Sequence, residues 1–130
     1  MLKTLFISLV LFFSLNIFAI TDESEALIKS SVISLDFNKS KSIMDDSFSL
    51  IMFGKASKEI NKTAIKKLND FLKDKPVKNY KVIHKGINNN NSFLIASFSS
   101  GNNSYRIHIL ANTKDKKDII NQIRIENNNE

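Results

Sequence analysis

From Leu5 to Leu15 the chain carries no charge, and before that run stand only the N-terminal amine and Lys3. A short positive segment ahead of an apolar stretch of about 7–15 residues is the pattern of a secretory signal. Ala19 supplies a small residue at the cut, with the bulkier Ile17 two positions before it. A membrane-spanning helix needs about 20 apolar residues, and Asn16 interrupts this run. The pattern predicts a cleaved signal peptide over 1–19, no membrane span after cleavage, and a periplasmic or extracellular domain over 20–130. Removing 19 of 130 residues leaves 111, the size of a single domain.

Beyond the signal the apolar residues take up a helical period. Thr21, Asp22, Glu23 and Ser24 offer acceptors for unpaired backbone N–H groups, and Leu27, Ile28, Val32 and Leu35 follow, which predicts a helix over 24–35. Asn38 is placed to cap a short second helix over 39–45, with Ile43 and Met44 as its buried side. Phe48 to Phe53 reads as a strand ended by Gly54. Asn61 is placed to cap a further helix, whose Ile65, Leu68, Phe71 and Leu72 form one apolar face and which Pro76 stops.

After Pro76 the period becomes two, and strands are expected over 79–87, 92–99, 104–112 and 119–126. Turns fall at Asn88–Asn91, at Gly101-Asn102 and over 114–117. A two-residue turn at Gly101-Asn102 sets Phe98 against Tyr105, Ala96 against Ile107 and Leu94 against Ile109, six core-facing residues. A three-residue turn over 115–117 sets Ile109 against Ile123 and Ile107 against Ile125. On the other face it sets Arg106 against Glu126 and His108 against Arg124. The fold class is α+β: N-terminal helices covering one side of a mainly antiparallel sheet.

Composition narrows the chemistry. There is no cysteine, which removes disulfides, thiolate metal sites, a cysteine nucleophile and a lipid-modified N-terminus. The 19 basic residues less Lys3 leave 18 against 13 acidic ones, a net +5. These cations are dispersed, unlike the stripe of a nucleic-acid binder, so no nucleic-acid partner is expected. Four Asn-x-Ser/Thr triplets, at Asn38, Asn61, Asn90 and Asn102, carry little weight in so asparagine-rich a chain.

The stretches Asn79-Tyr80-Lys81-Val82-Ile83-His84-Lys85-Gly86, Ser104-Tyr105-Arg106-Ile107 and Ile123-Arg124-Ile125-Glu126 resemble the small exported Bacteroidetes proteins known as domain of unknown function 4783. In element order the resemblance spans residues 22–126. It implies a nuclear transport factor 2-like fold, a cone of helices on a curved sheet, and a place in the cell envelope. It implies no catalytic residue.

A cone enzyme would need a buried carboxylate or histidine. Every acidic residue but Glu126 reads as helix, turn or N-terminal arm, so no acid is expected inside. Alternation places His84 on the core face with Tyr80 and Val82, since the other phase would bury Lys81 and Lys85. Tyr80, His84, Phe98 and Tyr105 are the candidates to line an inner pocket. Phe93, Ile95, Arg106, His108 and Arg124 share the outer face, where arginine and aromatics mark a partner surface or a homodimer contact. With the two histidines on opposite faces, no metal site and no cofactor are expected. The preferred expectation is a non-enzymatic domain that binds a partner protein or a small apolar ligand. The alternative is a small hydrolase or isomerase with His84 as base, assisted by Tyr80 or Ser97.

Overall fold

The computed structural model describes residues 20–115 and 117–128; the signal expected over 1–19 lies outside them. Helix α1 spans Asp22–Ile33, starting at Thr21, whose side chain accepts from the Ser24 N–H, with Asp22, Glu23 and Glu25 in its positive first turn. A 3₁₀ turn follows over Phe37–Ile43, capped by Asp36 rather than Asn38. Leu35 takes a left-handed φ of 61° between them, so the chain reverses and Phe37 enters the core. Buried Ser31 and Ser40 share a 2.6 Å hydrogen bond that ties turn to helix.

Strand β1 covers Met44–Met52 and β2 covers Lys55–Ile60. Phe53 and Gly54 join them with φ of 51° and 84°, the positive-φ pair of a two-residue hairpin turn. The expected strand end at Gly54 is therefore a hairpin. The extra strand was hidden because Lys55-Ala56-Ser57-Lys58-Glu59 has almost no apolar side. Helix α2, Asn61–Leu72, follows with Ile60 as its cap residue and no side-chain cap, so Asn61 is its first residue and not its cap. It buries Ile65, Leu68 and Leu72 as expected, together with Ala64.

Strands β3 (Lys78–Asn88), β4 (Asn91–Ser100), β5 (Asn103–Lys114) and β6 (Lys117–Asn127) complete a six-stranded sheet in the order β2-β1-β6-β5-β4-β3. Only β1 and β6 run parallel. The β4–β5 pairs are those expected, including Phe98–Tyr105, Ala96–Ile107 and Leu94–Ile109. The β5–β6 pairs near the core also stand, by a different route. The turn holds two residues, because Lys114 pairs with Lys117, and Asn121 is then the extra residue of a bulge opposite Leu110 and Ala111. Turn and bulge together give the offset that a three-residue turn would give. The core lies between the helices and one face of the sheet, and it includes Ile28, Phe37, Phe48, Leu68, Leu94, Ile107 and Ile123.

Candidate binding face

Two further bulges shape the edge strand β3. Between the Lys78–Ser99 and Lys81–Ser97 pairs, and again between Val82–Ala96 and His84–Ile95, β3 holds one residue more than β4. Asn79 has a φ of 57° in the first of these irregular stretches. Ile83 is the extra residue in the second, and it breaks the alternation on which the inward placement of His84 rested. His84 is exposed and turns to the face away from the helices, where it lines a groove with Lys81, Ile83, Ile95, Ser97, Arg106 and Asn128. Lys85 instead turns to the helix side, opposite Leu94, and its ammonium reaches Glu25 of α1 at 2.9 Å. Up to Val82 the expected phase holds, with Tyr80 and Val82 packed against the core and Lys81 outward. Beyond Ile83 it reverses, and the inward turn of Lys85 is tolerated because its charge has a partner at the rim.

The outer face holds the other candidates together. Phe93 and Ile95 on β4, Arg106, His108 and Leu110 on β5, and Gln122, Arg124 and Glu126 on β6 are all half-buried. The Phe93 ring lies over Gly86, where a Cβ would come within 3.2 Å of Cε1 and Cζ. A hollow of about 190 Å³ opens beside Phe93, Ile95, Leu110 and Arg124, and the groove beside Lys81 and His84 is about 430 Å³. Ile95 lines both.

His108 is fully engaged. A guanidinium can only donate, so the 3.2 Å contact from Arg124 Nη2 makes His108 Nδ1 the acceptor. The ring proton then sits on Nε2, which donates to Glu126 Oε1 at 2.7 Å. Burial and the neighbouring Arg124 and Arg106 charges hold the imidazole below its ordinary value, against the opposing hydrogen bond to Glu126. His108 is thus a neutral bridge whose lone pair is occupied, and it is no free base. NMR titration should show an Nε2–H tautomer and protonation below the ordinary histidine range, and Glu126→Gln should lower it further. A midpoint at or above about 6.5 would contradict this arrangement.

The sequence profile of "Domain of unknown function (DUF4783)" matches residues 26–126. The chain belongs to the DUF4783 family. Crystal structures of DUF4783 proteins from Bacteroides uniformis (21% identity, TM-score 0.71) and Bacteroides ovatus (22%, 0.72) each align with 81% of this chain and with 97% and 96% of their own. An NTF2-like protein of unknown function from Shewanella baltica shares 6% identity, covering 83% of this chain and 90% of its own, with a TM-score of 0.65. At these identities the likeness shows the fold alone, an NTF2-like cone. No curated protein matches the sequence.

Inside the DUF4783 cone the four pocket candidates part company. His84 is absent from it, as described. Phe98 and Tyr105 are buried in an aromatic stack, with Phe98–Tyr105 at 5.4 Å, Phe71–Tyr105 at 5.3 Å and Phe53–Phe71 at 5.4 Å. Edge-to-face and tilted rings at such separations are packing contacts. Tyr80 points inward too, and its buried hydroxyl has no hydrogen-bond partner among the described residues. Burial, helped by the Glu25 charge, pushes its phenol up to about 12. A hydroxyl that lacks a partner already bears its desolvation cost, so Tyr80→Phe should leave stability unchanged or raise it by up to about 1 kcal/mol. A loss above that in a denaturant melt would mean the hydroxyl is bonded.

One acid does lie inside, against expectation. Asp118 belongs to β6 and is 3% exposed. The bulge at Asn121 lets Asp118 and Ile120 face the helices together with Ile123 and Ile125. Its carboxylate accepts from Thr21 N–H at 2.9 Å, Thr21 Oγ1 at 3.0 Å and Thr113 Oγ1 at 2.6 Å. Burial raises its proton affinity, but these bonds and one from Ser24 outweigh it and hold the carboxyl below the usual range. It is an ionised clamp on the start of α1, where a general base would need a pKa near the working pH. Asp45 and Asp46 of β1 and Glu59 of β2 are likewise strand residues, on or near the surface. Among the described residues no three His, Asp or Glu side chains come together to hold a metal ion, and no helix is long and apolar enough to cross a membrane.

Proposed function

We propose that this protein is an exported, non-enzymatic binding domain that engages an acidic protein partner through the outer face of its sheet. The observation that carries this reading is the distribution of chemistry between the two faces. The interior offers a phenol raised to about 12 and a carboxylate locked by hydrogen bonds. The outer face offers Phe93, Ile95 and Leu110 ringed by Lys81, Arg106 and Arg124, the aromatic, aliphatic and arginine mixture of an interface. Among the described residues, Glu126, beside Arg124 and bonded to His108, is the one carboxylate set amid these three cations. Two copies laid face to face would thus oppose surfaces of net positive charge, which disfavours a homodimer and favours a partner of opposite charge. The hydrolase or isomerase reading loses its base, since His84 stands outside the cone.

Export rests on the charge-free run behind Lys3. Exported protein recovered from cells should begin at Ile20, 19 residues shorter than the coding sequence; an uncut N-terminus would sink that half of the reading. For the binding half, a photo-crosslinking amino acid is placed at Ile95 or, as a control, at Lys66 on the exposed side of α2. A discrete adduct in cells is expected from position 95 alone. Equal adducts from both positions, or none from 95, would overturn the assignment of the face.

A further inference from the structure

We infer that the groove built by the β3 bulge is a subsite for a carboxylate side chain of an extended partner segment, with the neighbouring hollow taking an apolar side chain two residues away. The inference rests on the proposed binding face and assigns its chemistry. Bulges re-aim side chains, and here Ile83 and His84, consecutive in sequence, line the same groove. With them stand the Lys81 ammonium, the Arg106 guanidinium, the Ser97 hydroxyl and the Asn128 amide, and among the described residues no carboxylate lines it. Arg106 Nη2 donates to Asn128 Oδ1 at 2.9 Å, which fixes the guanidinium at the groove wall. The Lys81 ammonium and the Ser97 hydroxyl over an apolar floor of Ile83 and Ile95, beside the already engaged Arg106, suit a carboxylate on a short aliphatic stem.

The adjoining hollow is walled by Phe93, Ile95, Ile109 and Leu110 and edged by His108, Gln122 and Arg124, with no lysine among the described residues that line it. Phe93, Ile95 and Ser97 stand on one face of β4 at alternate positions, and side chains two apart on an extended guest have the same spacing. An apolar residue at one position and an acidic one two further on would therefore match the two depressions in either chain direction. The open edge of β3 is a poorer docking place, because two bulges and Lys78, Lys81 and Lys85 guard it against strand addition. The partner must come to the face.

The probe is a fluorescein-labelled peptide, Ser-Leu-Ser-Glu-Ser, followed by polarisation, against the same peptide with glutamine for glutamate. The glutamate peptide should bind at least about ten-fold more tightly, a difference of about 1.4 kcal/mol. Its advantage should shrink as salt rises from about 0.1 M to 1 M and the screening length falls from about 10 to 3 Å. Lys81→Glu should abolish the advantage and the milder Lys81→Gln should halve it or more, with unchanged melting curves. Equal binding of the two peptides, or an unaltered preference in both Lys81 variants, overturns the subsite. So does tighter binding by a chain ending at Asn128, since the groove would then serve the chain's own acidic terminus. If crosslinking from Ile95 succeeds while the peptides do not discriminate, the face stands and the carboxylate subsite falls. If crosslinking fails, the face itself is wrong.

Discussion

Replacing Asp118 with alanine is expected to cost the fold about 3 kcal/mol, because a buried donor left without its acceptor loses about 1–3 kcal/mol. Three donors lose their acceptor, the Thr21 N–H and the hydroxyls of Thr21 and Thr113, which Asp118 holds at 2.9, 3.0 and 2.6 Å. Thr113 in turn bonds Ser92 at 2.9 Å. The clamp thus joins the start of α1 to the β5–β6 hairpin and to β4. For a domain near 100 residues each kcal/mol moves Tm by about 4–8 °C, so a fall of at least about 12 °C should be seen in a thermal melt.

The pH dependence has a definite sign. Asp118 has its folded pKa depressed, so its contribution is full above the unfolded value of about 3.9. It drains away as pH falls through the folded value, when the carboxyl must take a proton. Wild type should therefore lose its margin over Asp118→Ala in strongly acidic solution, below about pH 4, while keeping it at neutral pH. Two parallel stability curves over the whole acid range would show that Asp118 is uncharged in the fold or contributes only by filling space.

The sequence made the β4–β5 and β5–β6 pairings legible because hairpin register is set locally, by turn length and by which residues are apolar. Gly101-Asn102 was enough to place Phe98 on Tyr105 and Leu94 on Ile109. Bulges leave no such mark. Ile83 and Asn121 are ordinary strand residues, and their role as extra residues is decided by what the partner strands present. That is why His84 was placed inside and Asp118 in a turn. The outer face was readable for the complementary reason: Phe93, Ile95, Arg106, His108 and Arg124 lie where no bulge intervenes between β4 and β5 or in the far half of β6. What alternation could not supply was the orientation of the His108 ring, which depends on the donor geometry of Arg124.

Phe37→Ala should be the more damaging substitution of the two, at about 4 kcal/mol, within the range of about 3–5 for a buried phenylalanine. Periodicity gave no reason to place Phe37 in the core, since it falls in the gap between two expected helices, yet it is 0% exposed. The left-handed Leu35 turns the chain back, and Asn69 of α2 then holds the segment from both sides. Its Oδ1 accepts the Phe37 N–H at 2.7 Å and its Nδ2 donates to Asp36 at 3.2 Å. These bonds fix the backbone, so the segment cannot easily collapse into the space that alanine would leave, and the cavity cost is expected to be retained. Phe37→Leu refills most of that space and should cost less than about 1.5 kcal/mol. Denaturant titration separates the cases: the midpoint should fall for alanine with the slope unchanged, while a loss below about 1 kcal/mol would mean that the segment relaxes and that Asn69 does not hold it. Asn69→Ala in the Phe37→Ala background tests that hold directly. By freeing the segment to close the cavity, it should cost less there than it does in the wild type, a non-additivity expected only of residues that act together.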